Sequence, residues 1–92
     1  MGRALLRSAE AEARRRGGRL LLVETSSTPE YGLARRLYER SGYHLEAVVH
    51  DFYAPGDDLV IYARDLVEPD AERSTVVVVD SELRYLTLTY PA

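Results

Sequence analysis

The sequence contains no cysteine among its 92 residues, so disulfide bonds, thiolate metal sites and a cysteine nucleophile are all excluded. It also lacks any apolar run that approaches the ~20 residues a membrane-spanning helix needs. Its first residues do not contain the apolar core of a secretory signal. We therefore expect a cytoplasmic protein that has no membrane partner.

A strong excess of positive charge is absent as well. The chain has 12 basic and 15 acidic residues, which give a net charge of −3. Nucleic-acid-binding domains usually carry a strongly basic face, so we expect no nucleic-acid partner. The content of apolar residues, 46%, is ordinary for a globular protein. A chain of this length suffices for one small domain with a thin core.

The first third of the sequence predicts a helix followed by a buried strand. Leu5, Ala9 and Ala13 recur at helical spacing. Gly17 and the glycine after it supply a stop, so the helix is predicted from about residue 2 to residue 16. The four consecutive apolar residues Leu20–Val23 then fit a strand that is buried on both faces.

A second helix is predicted from about residue 29 to residue 41. Thr28 is a suitable N-cap for it. Leu33 and Leu37 fall four residues apart and therefore on one face. Gly42 follows the last predicted turn and ends the helix.

The remainder of the sequence predicts two β-hairpins. Residues 43–53 alternate in polarity, and the strand at 59–66 follows them after the turn "APGDD". The polar segment 67–74 contains proline and indicates a linker. The segments "TVVVV" and "RYLTLTY" predict a C-terminal hairpin within 75–92, which extends the sheet or mediates association. The order of elements indicates an α/β (α+β) domain over 1–66.

Four segments together carry a family resemblance. They are "GRALL" at Gly2–Leu6, "LLLVET" at Leu20–Thr25, "ARRLYERSGY" at Ala34–Tyr43 and "DFYAPGDDLVIYARDL" at Asp51–Leu66. In this order and at this spacing, they resemble the C-terminal half of a GNAT-superfamily N-acetyltransferase, over about residues 1–66. The resemblance implies a partial GNAT fold (helix, strand, helix, hairpin) to which the C-terminal hairpin is added. It also implies acetyl transfer from acetyl-CoA to a primary amine.

The resemblance implies that the start of the first helix binds the pyrophosphate of acetyl-CoA. Gly2 matches the last small residue of the family's pyrophosphate loop, and Gly2, Arg3 and Ala4 would present the free amides of the first turn. Tyr31 stands where many relatives carry an asparagine that touches the CoA arm. Arg35 lies on an arginine-rich helix face that would steer the anionic CoA. The alternatives are a chain start that binds no ligand and a merely solvated helix face.

Tyr38 matches the tyrosine that acts as general acid in the family. A phenol with a pKa near ~10 can protonate the thiolate that leaves when an amine attacks the thioester. The alternative is a core tyrosine at ordinary helical spacing. The acetyl-binding strand and the usual base of the family lie before the point at which this chain starts, so no general base is assigned and we expect a truncated enzyme.

A metal site is not expected. The side chains of His44, Glu46 and His50 share one face of a predicted strand. Six residues along a strand span roughly 20 Å, however, which is too far for a shared metal ion.

The acceptor remains open between a small-molecule amine, a peptide N-terminus and a lysine. Asp51, Asp57 and Asp58 surround the turn of the first hairpin and would attract a cationic amine. Aspartate is also a common turn former, so the three residues have a purely structural interpretation as well.

One edge of the strand at Leu20–Val23 would be unpaired without a preceding half of the fold. Val76–Val79 is too apolar to be left in water. The C-terminal hairpin is therefore expected to extend the sheet at this exposed edge, either within one chain or between the two chains of a homodimer. Three functions stay open: an acetyltransferase that is truncated or completed by a partner, a CoA-binding module that transfers nothing, and a structural or dimerisation module.

Overall fold

The computed structural model describes residues 2–66 and 75–89. Two helices and five strands follow one another in the order α1 (Arg3–Arg15), β1 (Leu20–Ser26), α2 (Gly32–Arg40), β2 (His44–Ala54), β3 (Asp57–Asp65), β4 (Thr75–Val79) and β5 (Tyr85–Thr89). The predicted α/β class is confirmed. The predicted linker at 67–74 lies outside the described residues.

The strands form one sheet in the order β2-β3-β1-β4-β5. β1 pairs antiparallel with β3 and parallel with β4, and the two hairpins β2–β3 and β4–β5 are antiparallel. Residues Leu20–Val23 of β1 pair with Val76–Val79 of the same chain. The edge of β1 that the sequence leaves open is therefore filled within one chain, and the outer strands of the described sheet are β2 and β5.

Both helices pack on one face of the sheet and share a single core. α1 contributes Leu6, Ala9 and Ala13, and α2 contributes Tyr38. The strand residues in the same cluster lie on this face of the sheet: Leu21, Val23, Val60, Tyr62, Val77 and Val79. The opposite face is less completely covered, because Leu20 and Leu22 of β1 are only half-buried. The predicted burial of β1 on both faces is thus complete on one face alone.

Glycine ends α1 and allows the tight turn into β1. Gly17 has a φ of 78°, a left-handed conformation that favours glycine. The N–H of Gly18 donates to the carbonyl of Ala13 at 2.9 Å. A Cβ on Gly18 would lie 2.9 Å from that same carbonyl oxygen. The observed helix agrees with the predicted one to within a residue at each end.

The second helix starts later than predicted. Residues Pro29–Tyr31 form a 3-10 turn, and the α-helix begins only at Gly32. Thr28 stands before this turn but makes no capping hydrogen bond. Leu33 is 78% exposed, so it does not share the buried face that Leu37 borders. Short 3-10 turns are frequent where α-helices begin, and Gly32 stabilises a helical turn less than other residues do.

Strand β2 departs from the simple alternation predicted for it. Its register against β3 shifts between Leu45 and Ala47, where Glu46 is the extra residue of a β-bulge. All eleven residues of β2 are exposed. The prediction that His44, Glu46 and His50 share one face is wrong for His50, because the bulge interrupts the two-residue alternation, whereas His44 and Glu46 lie close enough to form a hydrogen bond at 2.7 Å. Within residues 2–66 and 75–89, no helix is long and apolar enough to cross a membrane.

Candidate functional site

Three loops meet at the carboxyl end of β1. β4 runs parallel to β1 and β3 runs antiparallel to it, so β1 and β4 end where β3 begins. The β1–α2 loop, the β2–β3 turn and the β4–β5 turn are therefore neighbours. An acid-lined cavity of about 280 Å³ lies between them, and its walls are Ser26, Thr28, Glu30, Tyr31, Tyr53, Asp57, Ser81 and Glu82.

Hydrogen bonds between hydroxyl and carboxylate groups hold one wall of the acid-lined cavity. Ser26 donates from its hydroxyl to the Asp57 carboxylate. The backbone N–H of Thr28 donates to the Ser26 hydroxyl at 3.1 Å. Burial raises the pKa of Tyr53, and the negative charges of nearby acids, Glu24 first, raise it further. The cavity therefore presents a negative field in which a protonated amine would be favoured.

The other predicted acids of this turn have structural partners. Asp51 accepts a hydrogen bond from the N–H of Gly56 at 2.8 Å, and Asp58 accepts one from the N–H of Asp51 at 2.9 Å. Asp51 has a φ of 56°, as aspartate in a tight turn can. Of the three aspartates, only Asp57 lines the acid-lined cavity.

Tyr38 lies in the core at the centre of a tyrosine cluster formed by Tyr38, Tyr43 and Tyr62. Its side chain is 1% exposed, and its ring centroid lies 6.0 Å from that of Tyr43 and 5.6 Å from that of Tyr62. No other described residue forms a hydrogen bond with its hydroxyl. Burial raises the pKa of Tyr38, so its hydroxyl keeps its proton at neutral pH.

The hydroxyls of the other two tyrosines of the cluster donate hydrogen bonds to carboxylates. Tyr43 donates to Glu10 at 2.6 Å, and Tyr62 donates to Glu39 at 3.0 Å. Burial and the bond to Glu39 raise the pKa of Tyr62 to about 12. Burial and the bond to Glu10 raise the pKa of Tyr43 as well. Tyr38 is thus the member of the cluster whose hydroxyl is left for another partner.

Glu10 ties α1 to β3 through a buried ion pair. Its carboxylate accepts from Arg64 at 3.1 Å as well as from Tyr43. Arg64 also donates to the carbonyl of Ser41 at the end of α2. Glu10 is 8% exposed, and a charge so far removed from water needs such partners.

An arginine-lined cavity of about 320 Å³ lies beside this ion pair, with Arg3, Leu6, Arg7, Glu10, Ser41 and Arg64 as its walls. Arg3 and Arg7 lie one helical turn apart near the start of α1. No acid in the described part of the chain pairs with either of them. With Arg64 neutralised by Glu10, the cavity carries two uncompensated positive charges.

The start of α1 is open to solvent. Gly2 is the N-cap residue, and it has no side chain with which to make a capping hydrogen bond. The first turn contains no acidic residue. Gly2, Arg3 and Ala4 are all exposed. The first amides of the helix are therefore free to bind an anion.

Tyr31 and Arg35 occupy different surroundings from the start of α1. Tyr31 lines the acid-lined cavity, whereas Arg3 lines the arginine-lined cavity. Arg35 donates to the carbonyls of Ser26 and Thr28 at 2.5 and 2.9 Å. It therefore holds the β1–α2 loop in place.

A solved structure is similar to this chain over most of its length. It is a crystal structure from Desulfovibrio desulfuricans assigned to the GNAT family of acetyltransferases. Its sequence is 46% identical to this one, the match covers 71% of this chain, and the TM-score is 0.64. The resemblance to the GNAT superfamily is confirmed. The chain spans 41% of the length of that protein. No family model and no curated protein matches the sequence.

The match over 71% of 92 residues corresponds to about 65 residues, and the bounds 1–66 stay a prediction. Of the residues that the GNAT resemblance singles out, Tyr38 lies on α2, Arg3 and Ala4 lie on α1, and Gly2 is the N-cap of α1. Tyr38 lines neither of the two cavities described above.

Some residues around these cavities carry no signal in the sequence. Glu10 and Arg64 are separated by 54 positions, and nothing in the local pattern of either predicts the pair. Ser81 and Glu82 lie in the C-terminal hairpin, outside the GNAT motifs.

The two histidines form separate pairs, His44 with Glu46 and His50 with Asp58. Among the residues that the structure describes, no group of three or more potential ligands could hold a metal ion.

Proposed function

We propose that this chain supplies the CoA-binding and proton-donating part of an N-acetyltransferase that moves an acetyl group from acetyl-CoA to a primary amine. The observation that carries the proposal is the 46% identity with a GNAT-family structure over 71% of the chain. Because the chain spans 41% of that protein, transfer by the isolated chain is the step that most needs a test.

The positively charged start of α1 supports binding of the CoA phosphates. The free amides of Arg3 and Ala4 and the guanidinium groups of Arg3 and Arg7 are complementary to a pyrophosphate. Acetyl-CoA, when bound, supplies the activated thioester. Arg64 would contribute less, because Glu10 already neutralises it.

Tyr38 would serve as the proton donor. In the transfer, the amine nitrogen forms a bond to the acetyl carbon and the bond from that carbon to sulfur breaks. The hydroxyl of Tyr38 gives its proton to the sulfur, and the proton lost by the amine returns to the phenolate through solvent. Its raised pKa keeps this proton in place beforehand.

The acid-lined cavity supports a cationic acceptor. Glu30, Asp57 and Glu82 contribute carboxylates to its walls. A small-molecule amine, a peptide N-terminus or a lysine would all satisfy this charge. The amine must lose its proton before it attacks, and no residue is assigned as the base.

A second function is favoured by one specific observation. Tyr38 is 1% exposed, whereas a proton donor has to reach the leaving sulfur. If this burial persists when ligand binds, the chain is a CoA-binding module that transfers nothing. The two functions share the CoA site and differ only in the access to Tyr38.

Binding is tested by the melting temperature in excess acetyl-CoA. A ligand at 100 times its dissociation constant stabilises the native state by about 2.7 kcal/mol, which is on the order of 10 °C or more for a small domain. We expect Arg3→Gln to reduce the shift and Arg15→Gln, at the other end of α1, to preserve it. An unshifted melting temperature would remove both functions for the isolated chain.

Transfer is tested by the release of free thiol in the presence of a primary amine. The chain has no cysteine and no lysine, so it adds no thiol background and no lysine acceptor of its own. We expect Tyr38→Phe to abolish amine-dependent release and Tyr62→Phe, which also removes one hydroxyl from the tyrosine cluster, to retain it. If acetyl-CoA binds but no thiol is released, the CoA-binding module is the correct function.

A further inference from the structure

The arginine-lined cavity extends beyond the start of α1. Arg3 stands in the first turn of α1 and Arg7 in the second, about 6 Å further along the helix axis. Ser41 lies at the end of α2 and Arg64 lies in β3, and both also line the cavity. Three elements therefore build its walls, and only one of them is the helix whose first amides are free.

Arg7 gives the cavity a positive charge that the fold leaves unmatched. Its side chain is exposed, and no acid in the described part of the chain forms an ion pair with it. Of the described residues that line the cavity, Glu10 alone is acidic. The Glu10 carboxylate accepts hydrogen bonds from Tyr43 at 2.6 Å and from Arg64 at 3.1 Å, so Arg64 matches its charge. An anion beside Arg7 would therefore be attracted to the cavity.

The proposed CoA site accounts for the pyrophosphate of the ligand but not for its third phosphate group. The pyrophosphate is attached to the 5′-oxygen of the CoA ribose, and the third phosphate is attached to the 3′-oxygen of the same ribose. Arg3 and Ala4 carry free amides that suit the pyrophosphate, whereas Arg7 lies one helical turn away from them. One ribose ring separates the two phosphate positions of the ligand. With the pyrophosphate at the amides, the third phosphate can reach Arg7.

We propose that Arg7 binds the 3′-phosphate of CoA and makes the chain selective for ligands that carry this group. A phosphate monoester has a charge of about −1.5 to −2 at pH 7, and a guanidinium can form two parallel hydrogen bonds with it. Ser41 adds a hydroxyl donor beside Arg7, and Arg64 contributes less because Glu10 neutralises it. This inference rests on the proposed function, because it concerns one end of the same CoA site.

CoA and 3′-dephospho-CoA form a matched pair of probes, because they differ only in this phosphate. Their dissociation constants follow from the melting temperature of the chain over a range of ligand concentrations. A hydrogen bond to a charged group changes a dissociation constant by about tenfold or more. We therefore expect the unaltered chain to bind 3′-dephospho-CoA at least about tenfold more weakly than CoA.

Arg7→Gln tests the residue itself. It changes an exposed side chain, and melts without ligand establish that the variant is folded. We expect it to weaken the binding of CoA at least about fivefold and that of 3′-dephospho-CoA less than about twofold, because only CoA carries the phosphate that Arg7 contacts. Arg15→Gln, at the other end of α1, should keep the full preference for CoA.

The outcomes separate this inference from the proposed function. Equal, measurable affinities for the two ligands would overturn the inference and leave CoA binding standing. A preference for CoA that Arg7→Gln leaves intact would also overturn it, as would an equal loss of both ligands in Arg7→Gln, which would place Arg7 at the pyrophosphate. If neither ligand binds, the proposed function fails and the inference fails with it.

Salt provides a second readout that a purely structural role of Arg7 would not move. The screening length falls from about 10 Å at 0.1 M salt to about 3 Å at 1 M, so the preference of the unaltered chain for CoA should shrink as salt is added. In Arg7→Gln the ratio of the two dissociation constants should depend less on salt. A preference for CoA that is the same at both salt concentrations would contradict a contact between charges.

Discussion

Removing the Tyr43 hydroxyl should weaken the contact between α1 and the rest of the core. Tyr43 donates to Glu10 at 2.6 Å, and the two residues are 4% and 8% exposed. A hydrogen bond to a charged group contributes about 1.5–3 kcal/mol. In Tyr43→Phe, Glu10 keeps its bond to Arg64 and is not left without a partner. We therefore expect the free energy of unfolding to fall by about 1.5–2 kcal/mol, near the lower end of this range.

Glu10→Gln should lower the free energy of unfolding more than Tyr43→Phe does. An amide fills the space of the carboxylate, but it removes the charge that balances Arg64. The amide oxygen of glutamine can still accept a hydrogen bond from Arg64, but it does not balance the charge of the guanidinium, whose other acceptor is the carbonyl of Ser41. Breaking one side of a buried ion pair costs several kcal/mol when the remaining charge cannot reach water. The Arg64 side chain is 37% exposed, so water partly solvates its charge. We therefore expect the free energy of unfolding to fall by about 2–3 kcal/mol.

Urea unfolding of the two variants and of their combination measures the coupling between these residues. The midpoint should fall while the slope stays constant, because the surface exposed on unfolding does not change. Residues that share a hydrogen bond couple by about 0.5–3 kcal/mol in such a cycle. Tyr53→Phe, which removes a hydroxyl from a tyrosine that is 46% exposed, should change stability by less than about 0.5 kcal/mol. Strictly additive losses in the double variant would refute the buried network.

Two further predictions follow from the hydrogen bonds of the core and of the β1–α2 loop. Arg35→Ala removes the donor that holds the carbonyls of Ser26 and Thr28 and should lower the free energy of unfolding by about 1–3 kcal/mol; a variant as stable in urea as the unaltered chain would show that Arg35 does not hold the loop. The pKa of Tyr62 is raised to about 12 and that of Tyr43 is raised too, by burial and by a carboxylate partner in each case. The native state therefore binds more protons than the unfolded state above the ordinary tyrosine pKa near ~10, so stability should hold up to about pH 10 and fall above it. Melting temperatures that stay constant from pH 9 to pH 11 would contradict this.

Local patterns in the sequence predicted most of the elements. α1 is marked by apolar residues at helical spacing and by glycine at its end, and each hairpin is marked by two strand-like runs around a short turn. These signals are local, because a helix or a two-stranded hairpin forms between residues that are close in sequence. The GNAT resemblance rested on short motifs of the same local kind, and the structural match confirms it.

Contacts between distant residues were not predictable in the same way. The ion pair of Glu10 with Arg64 joins α1 to β3, and each residue alone has the character of a surface residue. The bulge at Glu46 inserts one residue without any glycine or proline to mark it. Leu33 has the spacing of a core residue, yet it is 78% exposed. In each case the outcome depends on which surfaces pack together, which the order of residues along one helix or strand does not specify.

The C-terminal hairpin connects the stability of the fold with the candidate site. Val77 and Val79 of β4 are fully buried in the core that contains Tyr38. The turn that follows β4 contributes Ser81 and Glu82 to the acid-lined cavity. Both residues lie outside the four motifs that resemble the GNAT family. If the cavity binds the acceptor amine, its selectivity should depend on Glu82, whereas the binding of acetyl-CoA at the start of α1 should not. Glu82→Gln, at a side chain that is 70% exposed, separates the two without disturbing the core, and it should weaken amine-dependent thiol release while it leaves the acetyl-CoA melting shift unchanged.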